Sequence, residues 1–181
     1  MTETETGDEL KDRRRKVPIR TKLLFASGTL QEATVTAGGI TTMLFYNQVL
    51  GVSPALVGMA FLIVSILDAV ADPIVGIWSD RFHSRWGRRH PFMFFSAFPI
   101  AIGFYFLYQP INGLSETGLV VWLVIFFAVV RLGQTFYLIP HDALGAELTD
   151  DYDDRTSIFG YNNVAEMILS MVTFAILYYL I

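Results

Sequence analysis

Apolar residues along this chain come in long blocks separated by short polar breaks, and block length sets the architecture. A helix that crosses the hydrocarbon core of a bilayer needs about 20 mostly apolar residues. Four stretches qualify, residues 54–78, 92–109, 118–140 and 157–181. The connection QPINGLSET is turn-rich through Pro110, Asn112 and Gly113. A fifth stretch, 22–49, is interrupted by the polar and small SGTLQEATVTAGGITT. It reads either as an amphipathic helix lying on the membrane surface or as a span whose polar stripe lines a watery cavity. The span is preferred, because no Lys or Arg follows Lys22 within it and it ends in MLFY before a GVSP turn. The pattern predicts an all-α membrane bundle of about five transmembrane helices within residues 20–181, preceded by a disordered, solvated tail at 1–19. The last block reaches Ile181 without a polar tail, so the bundle is expected to be incomplete, the N-terminal portion of something larger.

Composition agrees with a membrane bundle. Hydrophobic residues make up 53% and charged residues 17%, against the roughly 25% charged of an ordinary soluble chain. Orientation follows from where the basic residues lie. Lys11, Arg13, Arg14, Arg15, Lys16, Arg20 and Lys22 lie before or at the start of the first block, and Arg81, Arg85, Arg88 and Arg89 fill the next long loop. The 50–53 and 110–117 connections hold none. The N-terminus is therefore expected on the cytoplasmic side of the cell membrane, with cytoplasmic loops at 79–91 and 141–156. Basic clusters that flank apolar blocks form no continuous nucleic-acid footprint. The first sixteen residues have no apolar core and so make no cleaved signal. No cysteine is present, which removes thiolate metal sites and cysteine nucleophiles. His83, His90 and His141 sit at loops or predicted helix ends, so no buried bis-histidine haem site is expected. No nucleophile-and-base pattern stands out, and the chain reads as neither an enzyme nor a holder of a resident cofactor.

The candidate chemistry is a set of charges inside the blocks. Counted at 1.5 Å per residue from the predicted cytoplasmic ends, Glu32, Asp68, Arg131 and Glu166 fall at roughly 15 Å depth, near mid-bilayer. Asp72 lies one turn nearer the end. Buried ionisable residues of this kind pair with one another and mark ion or substrate routes. Asp68 and Asp72, in DAVADP, are i and i+4 and project from one helix face. Two carboxylates so placed repel, and in a low dielectric they invite a small cation: a proton on one, or Na⁺ shared by both with a nearby oxygen such as that of Thr135. The alternative is that one aspartate only neutralises Arg131. Arg131 is expected to pair with Glu166 or to bind an anionic solute group. Glu32 reads equally as a cavity-facing substrate contact or a structural hydrogen-bonder. His141 and Asp142, after Pro140, read as a helix cap or hinge. The acidic run Glu147–Asp154 lies on the same side as the arginine-rich loop, which allows a salt-bridge latch.

The stretch from Gly76 to Arg89, GIWSDRFHSRWGRR, looks like the loop signature of major facilitator transporters, with extra residues between Arg81 and Gly87. With DAVADP, SRWGRRHP and ALGAELTDDYDDRT, the chain over about residues 20–170 resembles the glycoside–pentoside–hexuronide:cation symporters, the melibiose-carrier-like group. The resemblance implies a twelve-helix fold of two halves with its sites between them, so that the C-terminal half of the transporter is missing here and half the cavity wall with it. It places Asp68, Asp72 and Thr135 on the cation site, and Glu32 on a helix-one sugar contact. It also puts Asp142 and Asn163, with Leu138, on the sugar-facing positions, where this sequence departs from the pattern. Ala71 stands where a further cation ligand is found, which favours H⁺ over Na⁺. Asp80, Arg81, Arg88 and Arg89 fall on the cytoplasmic gate. The expected function is cation-coupled symport, by H⁺ or Na⁺, of a sugar or similar small polar, glycoside-like solute. The alternative is a lipid or amphiphile carrier, or a non-transporting membrane fragment. Membrane lipid is the other partner, and no nucleic acid is expected.

Overall fold

The computed structural model describes residues 16–82, 85 and 89–180, the side chain of Leu180 excepted. Most of the expected disordered tail, residues 1–15, lies outside the described residues. Among those described the chain is all-α, without a strand. Helices α1 (Ile19–Ser27) and α2 (Thr29–Leu44) form one rod broken at Gly28, and α2 runs into a π-helical turn at Phe45–Val49. The break has a local cause. The Ser27 hydroxyl donates to Leu24 O and that of Thr29 to Ala26 O, both at 2.7 Å, and such back-bonding competes with the helix ladder.

Four longer helices follow: α3 (Pro54–Arg81), α4 (His90–Leu107), α5 (Glu116–Glu147) and α6 (Tyr152–Leu180). Ser53 and Ser115 cap α3 and α5 by accepting from the backbone N–H groups of Leu56 and Gly118. Asp151 accepts from the Asp154 N–H at 2.9 Å and opens α6. Gly51 and Gly113 take positive φ, +71° and +86°, in the two turns that carry no basic residue. Helices α3, α4 and α5 are long and apolar enough to cross a membrane. Large apolar side chains such as Ile66, Val70, Phe94, Phe98 and Met171 are exposed along these helices and α6, the surface expected of a protein solvated by lipid.

One expectation changes. Helix α5 does not end at Pro140 but continues to Glu147, so His141 and Asp142 lie within a helix rather than at its cap. Proline removes one backbone donor and disfavours a preceding turn, yet a helix packed on both sides can carry that loss. Pro73 and Pro99 are carried in the same way inside α3 and α4.

Contact registers reveal the direction of each pair. A Cβ on Gly103 would meet Val130 at 2.5 Å, and one on Gly133 would meet Ile100 at 2.7 Å. The residue numbers in both contacts add to the same value, so α4 and α5 are antiparallel, with the two glycines admitting close approach. The α3–α5 contacts instead keep a constant difference of 63, in Asp68–Arg131 and Asp72–Thr135. These two helices run parallel, and Glu116 at the start of α5 accepts from the Ser53 N–H at the start of α3 at 2.9 Å. The shared core holds Val57 and Val64 of α3, Leu107 of α4, and Leu123 and Val130 of α5, with Tyr46 donating to Leu107 O at 3.1 Å.

Candidate cation and substrate site

Parallel packing of α3 on α5 turns two i, i+4 pairs into two rungs. On the first, Arg131 Nε and Nη2 both lie 2.5 Å from Asp68 Oδ2. Its Nη1 donates to Gln134 Oε1 at 2.6 Å. Asp68 is 7% exposed, and no other described cation pairs with it. On the second rung the Thr135 hydroxyl lies 2.9 Å from Asp72 Oδ1 and 3.2 Å from Arg131 O, so its one proton is shared between them. Asp72 is exposed, and among the described residues Thr135 is its only hydrogen-bond partner. The layer holds two carboxylates and one guanidinium, which leaves one negative charge, on the Asp72 side.

A second polar group gathers where α1–α2 crosses α5 and α6. Glu32 is half-buried and lies within electrostatic reach of Glu166, Asp142 and His141. Tyr137 donates to Gly28 O at 2.8 Å and senses the Glu32 charge. His141 is buried, stacks on Phe25 with ring centroids 4.3 Å apart, and places Nε2 3.3 Å from Phe25 O. Its Nδ1 faces Asp142 Oδ1 at 3.7 Å, too far for a direct hydrogen bond. The bare backbone of Gly28 makes this crossing possible, since a Cβ there would meet His141 Nε2 at 2.5 Å.

The arginine-rich end is tied twice. Arg89 Nη2 reaches Asp80 Oδ1 at 3.4 Å and Glu147 Oε1 at 3.1 Å, joining the α3–α4 connection to the end of α5. Lys22 Nζ reaches Asp154 Oδ1 at 2.5 Å and donates to Ser157 Oγ at 3.0 Å, while the Val17 N–H donates to the other oxygen of Asp154 at 2.6 Å. The hydrogen bond from Lys22 holds the Asp154 carboxyl below the usual carboxylate range, helped by that of Val17.

The family model described as MFS/sugar transport protein matches residues 24–181. The chain belongs to that family. A symporter of Synechocystis sp., itself uncharacterized, is 32% identical over 172 residues, 90% of this chain and 31% of that protein. The isoprimeverose transporter of Lactiplantibacillus pentosus is 33% identical over 116 residues, 64% of this chain and 24% of that protein. The sodium-dependent lysophosphatidylcholine symporter 1 of Xenopus tropicalis is 28% identical over 163 residues, 89% and 31% of the two chains. The chain thus spans less than a third of the length of these relatives. The resemblance to glycoside–pentoside–hexuronide:cation symporters is borne out, as is the all-α architecture.

Within this family frame, the residues singled out in the sequence separate into groups. Asp72 and Thr135 meet. Asp68 meets Arg131, and Arg131 does not pair with Glu166 as expected. Glu32, Asp142 and Glu166 share one neighbourhood. Asn163 lies on the exposed side of α6, whereas its neighbour Asn162 is the buried one. Arg81 closes α3, Asp80 and Arg89 pair, and Arg88 lies outside the described residues. Sequence reasoning overlooked Gln134, although its i, i+3 spacing from Arg131 is a readable signal. It also overlooked Tyr137, which only the helix crossing brings to Glu32, and the Lys22–Asp154 tie, 132 residues apart.

Proposed function

We propose that the full protein is a cation-coupled secondary symporter of a sugar or similar small, glycoside-like solute, driven by H⁺ or Na⁺ across the cell membrane. The N-terminus and the arginine-rich end face the cytoplasm, and α1–α2 and α6 cross the bilayer with the other three rods. The observation that carries this reading is the two-rung contact between parallel α3 and α5, which leaves one uncompensated carboxylate, Asp72, beside a hydroxyl in the apolar layer. A carboxylate so placed accepts one positive charge, and binding it changes the electrostatics that the solute meets. Coupling then arises because each ligand favours the state that binds the other. Glu32 and Asp142 offer acceptors to solute hydroxyls, and Asn163 on the exposed side of α6 and Arg131, once released from Asp68, are the remaining candidates for solute contact. Asp80, Arg81, Arg88 and Arg89 belong to the cytoplasmic gate, where the Arg89–Glu147 contact supports a latch. No covalent chemistry is required of any residue.

The test is uptake of labelled glycosides, isoprimeverose among them, by cells or proteoliposomes carrying the full-length protein. Asp72→Asn should abolish uphill accumulation under an imposed cation gradient while solute exchange persists. Undiminished uphill uptake would refute the assignment. A lipid-carrier reading draws on the lysophosphatidylcholine symporter among the relatives. It would use Arg131 for a headgroup, but that guanidinium is already engaged by Asp68 and Gln134. Displacement of bound glycoside by lysolipid, and not by competing sugars, would favour it.

A further inference from the structure

Arg131 is the feature that the coupling site alone does not explain. A cation site built from two carboxylates and a hydroxyl has no use for a permanent guanidinium in its midst. Yet this one sits in the layer, with Nε and Nη2 on a single oxygen of Asp68 and Nη1 on Gln134. We propose that Arg131 is a built-in cation that occupies the Asp68 half of the site, so that Na⁺ is excluded there and the coupling charge is confined to Asp72. The inference rests on the symport reading and specifies which ion-binding group that reading leaves open.

Three observations support it. First, geometry: both nitrogens of the guanidinium edge converge on Asp68 Oδ2, and the Asp68 side chain is 10% exposed, so an ion approaching that oxygen must displace them. Second, tethering: Arg131 is covalently part of α5, and the parallel register of α3 and α5 sets it opposite Asp68. Its effective concentration at the carboxylate therefore far exceeds that of any free monovalent ion. Arginine also stays charged at every accessible pH, so the occupancy is permanent. Third, ligand supply: with Asp68 Oδ2 held by the guanidinium and Gln134 Oε1 accepting from its Nη1, the second rung supplies Asp72 and the shared Thr135 hydroxyl. Residue 71, between the two aspartates, is an alanine and offers none. Na⁺ needs several oxygens to replace its hydration shell, and this set is too small for it. Gln134 completes the device, since its carbonyl oxygen fixes the far edge of the guanidinium and aims the near edge at Asp68.

Direct Na⁺ binding tests the inference without knowledge of the solute. The full-length protein in lipid nanodiscs is titrated with ²²Na⁺ at constant ionic strength, choline replacing sodium. Wild type and Arg131→Lys, which keeps a charge in place, should show no saturable binding up to about 100 mM. Arg131→Gln should gain a saturable site at least about tenfold tighter than any seen in wild type. Adding Asp68→Asn to that variant should remove the site again. Equal Na⁺ affinity in wild type and Arg131→Gln overturns the proposal, as does a monodisperse Arg131→Gln protein with no gain. If Arg131→Gln does not fold, Gln134→Ala releases one anchor and keeps the ion pair. It should bind Na⁺ several-fold better than wild type, and no change there also overturns the proposal. The symport reading fails separately, through uptake that ignores every cation gradient, because the Na⁺ titration contains no solute.

Discussion

Replacing Gly103 by alanine should separate α4 from α5, and the structure sets the size of the effect. A Cβ at residue 103 would lie 2.5 Å from Val130 Cγ2, 3.0 Å from Phe126 O and 3.1 Å from Val130 N. Ordinary contact begins at 3.4 Å, so the valine methyl must yield by about 0.9 Å and the carbonyl by about 0.4 Å for normal packing. Neither has an easy escape. A β-branched side chain in a helix holds essentially one rotamer, and the two other atoms are backbone. Helix α5 must therefore move as a body. Overpacking of this kind costs about 1–3 kcal/mol, partly offset by roughly 1 kcal/mol of helix propensity gained over glycine. The net loss is about 0–2 kcal/mol, up to about 8 °C in melting temperature for a chain of this size. Gly58 provides the control: it also lies inside a helix, α3, but nothing stands within 4 Å of a Cβ there. Gly58→Ala should be neutral or stabilising by up to about 1 kcal/mol. The assay is thermal unfolding of the detergent-solubilised protein, followed by fluorescence-detected size exclusion. A Gly103→Ala protein that melts at or above Gly58→Ala would refute the packing argument. Gly133→Ala, facing Ile100 and Pro99 across the same seam, should cost a similar amount. The double variant should lose less than the sum, because the helices have already parted.

Further outcomes follow from the other contacts. Gly28→Ala should lower thermal stability by about 1–3 kcal/mol through its clash with His141 and Tyr137, and Tyr137→Phe in the same chain should restore part of it, read by the same melts. The Asp154 carboxyl, held low by Lys22, contributes stability that is fully present above its unfolded value near 3.8 and is lost as pH falls through its lower folded value. Melting temperature should therefore drop on acidification through that window, and Lys22→Met should flatten this part of the profile; an unchanged profile would sink the linkage. Glu147→Gln removes one partly exposed arm of the Arg89 bridge, so unfolding should change by less than about 1 kcal/mol. A larger loss would mean that the bridge holds the fold rather than the gate.

Much of this protein was legible before any coordinates, for a physical reason. Block length against bilayer thickness dictated helices, because only a helix satisfies its own backbone in oil. The GVSP turn and the turn at Asn112 and Gly113 are local chemistry, written within a few residues of where they act, whereas 22–49 reads as one span and its break at Gly28 came only with the structure. The i, i+4 spacing of Asp68 and Asp72 placed both on one face of α3. Length along the chain also put Asp68 and Arg131 at one depth. What it did not determine was which charge meets which. Arg131 had Glu166, Asp68 and Asp72 within the same layer, and depth alone does not rank them. Tertiary packing did, by laying α5 parallel to α3 with a register of 63 residues. That register matches Asp68 with Arg131 and Asp72 with Thr135, so two acids that look equivalent in DAVADP become unlike. The same holds for His141 and Lys22, whose roles come from segments more than 100 residues away. A sequence states the periodicity of each helix, but the rotation of one helix about its axis against another is decided by the packing of all of them together.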